Sequence, residues 1–349
     1  TEIRKPIDID GQTITPSASI GWTTCHDGEL VAENLLREAD TAMYNAKSRG
    51  RNQALQYSPA MQVEAANRLE LENELRQALI KREFVLHYQP LIENQSNRIV
   101  GFEALVRWQS PNRGMVPPLK FITLAEEIGL IVPLGWQILE MACEQAARWE
   151  REFPHYPAYV NVNFSLKQLY QPNFLDDFKS KIQASGVTPR NICVEVTESI
   201  LMENPELIIR ILGEIRALGM RIAVDDFGTG YSSLAYLHRF PLDVVKIDRS
   251  FVTSMLTSPE SLQIVKTIIE LARSLKLKVT AEGVEREEHY LKLRELGCDF
   301  SQGYLWSKPI DNVAATKMLE NAADKHSQMG ITIPVTGSIL VQGAPNMLS

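Results

Sequence analysis

No apolar run reaches the ~18 residues that span a bilayer, so no membrane-crossing helix is expected in this 349-residue chain. The segment from Thr1 to Asp10 lacks an initiator Met and the charged-then-apolar layout of a secretory leader. The chain is therefore expected to be a piece of something longer, whose remainder has room for an anchor or a sensor. Cysteine is scarce. Cys25, Cys143, Cys193 and Cys298 lie far apart with no C-x-x-C pair, which argues against a disulfide framework and for buried thiols in a reducing, cytoplasmic setting. Positive charge is also short, with 36 Lys and Arg against 43 Asp and Glu, for a net charge of −7. Duplex nucleic acid and anionic lipid need a broad basic face, so neither is expected as a partner. No G-x-G-x-x-G follows the first long strand-like run, which disfavours an open dinucleotide-binding sheet.

What is present reads as a globular protein, 44% hydrophobic and 23% charged. Residues 1–57 hold a strand-like run, Ile14 to Trp22, and a helical run from Leu30 to Lys47. Residues 58–82 are rich in Ala, Leu, Glu and Arg, and Leu71, Leu75, Ala78 and Leu79 recur at helical spacing, as in a connecting helix. From 83 to 325, short apolar runs alternate with amphipathic helical stretches. The runs are Phe84–Leu91, Ile99–Val106, Ala158–Asn163, Ile192–Val196, Arg221–Asp225, Val244–Ile247, Lys278–Glu282 and Phe300–Tyr304. Repeated β–α units imply a parallel sheet covered by helices, and about eight strands in roughly 240 residues fit an α/β fold of the (β/α)8, TIM-like barrel type. Residues 326–349 read as a loose tail.

Polar residues break into these apolar runs: Glu103 inside Ile99–Val106, Lys246 among Val244, Val245 and Ile247, and Asn163, Glu195, Asp225 with Asp226, and Glu282 at or near run ends. Barrel enzymes carry their chemistry at the carboxyl ends of strands. Any one such residue has the plain alternative of reaching solvent or capping the next helix. Six strands bearing them is a different matter. Gathered at one mouth, five carboxylates face one ammonium, and two like charges about 4 Å apart repel by roughly 4 kcal/mol at an effective dielectric near 20. Divalent cations would offset that repulsion. Carboxylates and an Asn carbonyl are hard oxygen donors suited to two Mg²⁺ or Mn²⁺ ions rather than zinc. Paired ions of this kind serve in-line displacement at phosphorus, although acid-rich barrels also act on sugars and enolisable acids.

The run Glu103-Ala104-Leu105-Val106-Arg107-Trp108 resembles the signature of EAL-domain cyclic di-GMP phosphodiesterases. It travels with Tyr88-Gln89-Pro90, Asn163-Phe164-Ser165, Glu195-Val196-Thr197-Glu198 and Asp225-Asp226-Phe227-Gly228. Further on come Lys246-Ile247-Asp248, Glu282-Gly283-Val284-Glu285 and Gln302-Gly303-Tyr304. The resemblance implies hydrolysis of cyclic di-GMP to linear pGpG, with a catalytically silent receptor for the same dinucleotide as the alternative. It implies Glu103, Asn163, Glu195 and Asp225 as ligands of one metal, with Asp225 shared with a second metal that Asp226 also contacts. Glu282 becomes the base or water-positioning group, assisted by Lys246, and Glu198 the anchor of the loop after Asp226. Gln89, Leu105 and Arg107 fall to substrate binding, Glu285 and Gln302 to substrate or supporting contacts, and a homodimer through the barrel is expected. Residues 13–57 resemble the C-terminal part of a GGDEF diguanylate cyclase domain without its G-G-D-E-F loop, so cyclase activity is not expected.

Overall fold

The computed structural model describes residues 2–9, 12–24, 32–48, 50–230 and 237–328. The chain forms two compact units, residues 1–81 and 82–349. In the first, β1 (Ile7–Ile9) pairs with β2 (Gln12–Ile14), and β3 (Ile20–Trp22) pairs in parallel with β4 (Ala54–Gln56). The expected single strand from Ile14 to Trp22 is broken between β2 and β3 at Pro16, which has no amide hydrogen for a ladder. Helix Ala32–Ser48 lies directly on β3, where a Cβ on Gly21 would sit 2.0 Å from the Met43 amide nitrogen. Pro59–Lys81 is one 23-residue helix. The loose tail expected at 326–349 falls mostly outside the described residues, the last helix running Asn312–Gln328.

In the second unit the strands are β5 (Phe84–Glu93), β6 (Arg98–Ser110), β7 (Gly114–Val116), β8 (Tyr159–Asn163), β9 (Ile192–Thr197), β10 (Arg221–Phe227), β11 (Val244–Ile247), β12 (Lys278–Ala281) and β13 (Phe300–Ser301). They form a nine-stranded sheet in the order β5-β13-β12-β11-β10-β9-β8-β6-β7, and a β5–β6 pairing closes it into a barrel with β7 outside. Helices such as Ile131–Glu152, Pro205–Ala217 and Pro259–Ser274 cover it. Sequence sets their starts: Asn204 and Ser258 each accept a first-turn amide, and Pro occupies the first helical position of the last two. No described helix is long and apolar enough to cross a membrane.

The barrel departs from the all-parallel expectation at one strand. β5 runs antiparallel to both β6 and β13, because the turn between Glu93 and Arg98 is too short for the crossover a parallel pair needs. β13 is also shorter than expected, ending at Ser301.

Gly303 explains that early end. A Cβ there would lie 2.1 Å from the Val284 carbonyl oxygen and 2.4 Å from its amide nitrogen, so two backbones approach as only glycine allows. Gly303→Ala is expected to cost about 3 kcal/mol in denaturant unfolding, the upper range of overpacking penalties. An unchanged midpoint would show that the contact relaxes freely.

Candidate active site

Strand alternation carries Glu103, Leu105 and Arg107 of β6 to one face, and Asn161 and Asn163 of β8 likewise. On β10, alternation alone would send Asp225 and Asp226 to opposite faces. A bulge prevents this. The β10 register shifts between Val224 and Phe227, and Asp226 takes a left-handed φ of 55°, so the extra residue re-aims its side chain. Carboxylate oxygens of Asp225, Asp226 and Glu282 then lie within 4.8 Å of one another, as do those of Glu103, Glu195 and Asp225. Asp225 belongs to both groups.

Lys246 is the hub. It is fully buried, and its Nζ lies 2.6 Å from Glu282, 3.1 Å from Glu195, 3.2 Å from Asp225 and 3.4 Å from Glu103. Burial alone would depress its pKa, but Asp225, Glu103, Glu195 and Glu282 outweigh this and hold it well above the usual lysine value. The acids respond unequally. Burial pushes Glu195 well above the carboxylate range despite Lys246. Burial also pushes Glu282 up to about 8, and burial with the Asp225 charge raises Asp226. Burial acts the same way on Glu103, but Lys246 and donors from Gln302 and Asn163 overcome it and leave that carboxyl below its ordinary value.

The donor set fits divalent cations. Two overlapping triads of carboxylate oxygens share Asp225, and a single ammonium is too little charge to keep all five acids ionised. Cation binding is therefore expected to displace protons, above all from Glu282, which burial holds up at about 8. Near pH 7, adding Mn²⁺ to the metal-free protein in weak buffer is expected to release protons. Apparent affinity should rise as pH climbs toward about 8, where Glu282 ionises unaided. A pH-independent affinity between 6 and 8.5 would contradict this.

The remaining candidate residues are placed as follows. Asn163 is exposed and donates from Nδ2 to Glu103 Oε1 at 2.8 Å. Gln302 Nε2 donates to Glu103 Oε2 at 2.7 Å and to Gln89 Oε1 at 3.1 Å, and Gln89 Nε2 donates to the Ser307 carbonyl. Both glutamines are buried, so here they brace Glu103. Leu105 and Arg107 are half-buried, and the Arg107 guanidinium donates to the Val106 carbonyl. Glu198 is buried and accepts the Gly228 amide at 2.8 Å, close against Gly230. It thereby ties down the start of the loop whose continuation, residues 231–236, lies outside the described residues. Glu285 is exposed, and among the described residues no hydrogen bond or ion pair joins it to the acids.

Asn161, which strand alternation puts on the same face as Asn163, is not among the residues that the sequence singled out. Its Nδ2 donates to Glu195 Oε1 at 2.5 Å while Lys246 holds the other oxygen, so it fixes the orientation of the most buried acid. The signal was visible as an amide at an inward position of an apolar strand. Asn161→Ala is expected to weaken Mn²⁺ binding about tenfold, the lower end for partners of a metal ligand. Calorimetry checks it, and undiminished affinity would make Asn161 a packing residue only.

A closed barrel with overlapping carboxylate triads at its mouth is the architecture of a divalent-metal barrel enzyme. The chain belongs to the EAL domain family, whose model matches residues 72–309, and a diguanylate cyclase GGDEF domain model matches residues 1–53. It is 39% identical over 319 residues to the cyclic di-GMP phosphodiesterase NbdA of Pseudomonas aeruginosa, covering 91% of this chain and 40% of that protein. It is 40% identical over 315 residues to the cyclic di-GMP phosphodiesterase PdeR of Escherichia coli, covering 90% of this chain and 47% of that one. The chain thus spans less than half the length of these curated relatives. Among solved structures, the PaMucR phosphodiesterase in complex with c-di-GMP matches with a TM-score of 0.67 and 39% identity, covering 69% of this chain and 98% of that one. The EAL enzyme Bd1971 bound to cAMP and cyclic di-GMP matches with a TM-score of 0.71 and 33% identity, covering 84% and 77%.

Proposed function

We propose that the barrel hydrolyses cyclic di-GMP to linear pGpG with the help of two divalent cations, Mg²⁺ or Mn²⁺. The observation that carries this reading is the pair of carboxylate triads sharing Asp225 around Lys246, in a chain similar to cyclic di-GMP phosphodiesterases throughout the barrel. Glu103, Asn163, Glu195 and Asp225 would hold one cation, and Asp225 with Asp226 the other. When bound, these ions supply Lewis acidity and neutralise charge on the phosphoryl oxygens.

The chain's own groups do the rest. Glu282 sits at the rim, 19% exposed, and is oriented by Lys246, so it is placed to orient the attacking water and take its proton. Lys246 stays charged through the cycle and keeps the acids at fixed spacing. Arg107, on the same strand face as Glu103, offers a planar donor fork to a phosphate, and Leu105 beside it offers an apolar surface to the dinucleotide. Gln89 and Gln302 keep Glu103 in place and border the substrate, Glu285 stands on the loop that begins at Glu282, and Glu198 holds Gly228, at the start of the loop after Asp226. A homodimer through the barrel in a cytoplasmic signalling protein completes the reading.

The test is product analysis of cyclic di-GMP incubated with the protein and Mn²⁺. Linear pGpG is the expected product. Tight binding without pGpG would make the barrel a receptor, and absence of binding would point to another substrate class.

A further inference from the structure

The carboxyl ends of the strands carry the acids, but the opposite end of the barrel is also open. The first residues of β8, β10, β11, β12 and β13, namely Tyr159, Arg221, Val244, Lys278 and Phe300, line a cavity of about 1880 Å³. Its floor is apolar, formed where Tyr159 and Val244 pack with Val100, Cys193 and Ala223. Its wall is basic. Arg216 and Lys278 are neutralised by Asp243 and Asp299 at 2.9 and 2.7 Å. Arg190, Arg221, Lys276 and Arg294 remain, faced by Glu93 alone among the lining acids. This concentration of positive charge sits in a chain whose net charge is −7.

Arg221 is the informative member. Its guanidinium is half-buried and lies 4.4 Å from the centroid of the Tyr159 ring. Among the described residues it makes no hydrogen bond or ion pair. The cation–π contact holds the guanidinium against the ring, and its N–H groups, unpaired among the described residues, are the donors with which an arginine grips a phosphate in two-pronged fashion. Cations gathered over a low-dielectric floor repel one another and cost stability, unlike the packed layer that normally closes this end of a barrel. A concave surface of one sign also concentrates counter-ions.

We propose that this basin is a second ligand site, which binds a multiply charged phosphate anion with Arg221 as its anchor and Arg190, Lys276 and Arg294 at its rim. It is separate from the carboxylate mouth and does not depend on what that mouth hydrolyses.

The experiment uses the full chain in EDTA, where the metal-free acidic mouth repels anions and leaves the basin to report. Inorganic tripolyphosphate is titrated at constant ionic strength, by calorimetry and thermal melting. The expected result is saturable binding with a raised Tm, weakened at least tenfold in Arg221→Gln. The rim variant Arg190→Ser/Arg294→Ser, which touches no packed group of the floor, should weaken binding about fivefold or more while leaving Mn²⁺-dependent turnover of cyclic di-GMP unchanged. GTP in place of tripolyphosphate separates the sources: equal affinity means that phosphate alone is recognised, tighter binding that a nucleotide is. No saturable binding, an equal effect from sulfate at matched ionic strength, or binding indifferent to both variants would overturn the proposal.

Discussion

Glu103→Ala is expected to lower kcat for cyclic di-GMP by about a thousandfold, and to reduce the Mn²⁺ bound per chain from two to one. Losing a mere partner of a metal ligand costs roughly 10- to 100-fold, and Glu103 is proposed as a ligand itself. It also joins two networks: Oε1 accepts from Asn163, and Oε2 accepts from Gln302 and faces Lys246. Truncation therefore frees Asn163, leaves one of the two buried N–H donors of Gln302 unpaired while the other stays on Gln89, and removes one negative charge from the Lys246 environment. Circular dichroism and thermal melting separate this from misfolding, since β6 keeps its backbone pairing with β5 and β8. Turnover within tenfold of the unsubstituted protein would remove Glu103 from the ligand set.

Lys246→Met should have the largest effect on stability. The ammonium is buried among four carboxylates within 3.4 Å, and methionine keeps an unbranched chain one atom shorter while removing the charge. Taking one partner from a buried ionic cluster costs about 3–5 kcal/mol, because the remaining charges are left uncompensated. In EDTA at pH 7.5 this corresponds to a fall in Tm of roughly 10 °C for a domain of this size. The sign of the pH dependence follows from the acids. Burial and the neighbouring carboxylates hold Glu282 up at about 8 even with Lys246 beside it and hold Glu195 above its ordinary value; without the ammonium both take up protons more readily still, so repulsion in the variant fades as pH falls. The loss should therefore shrink at pH 5.5 and grow at pH 8.5. Saturating Mn²⁺ should restore part of it by mass action. A metal-free Tm within 2 °C of the unsubstituted protein at pH 8.5 would contradict the assignment of Lys246 as the charge hub.

The barrel was legible because its segments differ in period. Apolar runs such as Ile192–Val196 and Arg221–Asp225 are short and continuous, and Pro205–Leu218 and Ser261–Leu275 carry one apolar stripe each. The direction of β5 was not legible. Phe84–Leu91 reads like any buried strand, and only the brief turn between Glu93 and Arg98 betrays a hairpin. The acids stood out individually for a simple reason: a carboxylate inside an apolar strand is costly enough to need a purpose.

Their arrangement was harder to read. Periodicity would have split Asp225 from Asp226, and nothing in Val224-Asp225-Asp226-Phe227 announces the bulge that reunites them. Lys246 read as an interruption of Val244, Val245 and Ile247, yet it touches four acids from four other strand ends. That fact belongs to barrel closure, not to local sequence. Gln89 and Gln302 looked like ligand contacts, and their bond to each other depends on β13 pairing back onto β5. The basic basin was invisible for the same reason. Arg190, Arg221, Lys276 and Arg294 are scattered over about a hundred residues and meet only because successive strands start at the same end.

The most direct measurement is anomalous diffraction at the manganese edge from crystals of the protein grown with Mn²⁺. Two peaks per chain are expected at the barrel mouth, one among Glu103, Asn163, Glu195 and Asp225 and the other beside Asp225 and Asp226. No peak at the mouth in saturating Mn²⁺, or manganese bound only elsewhere, would contradict the claim that these acids exist to hold paired cations.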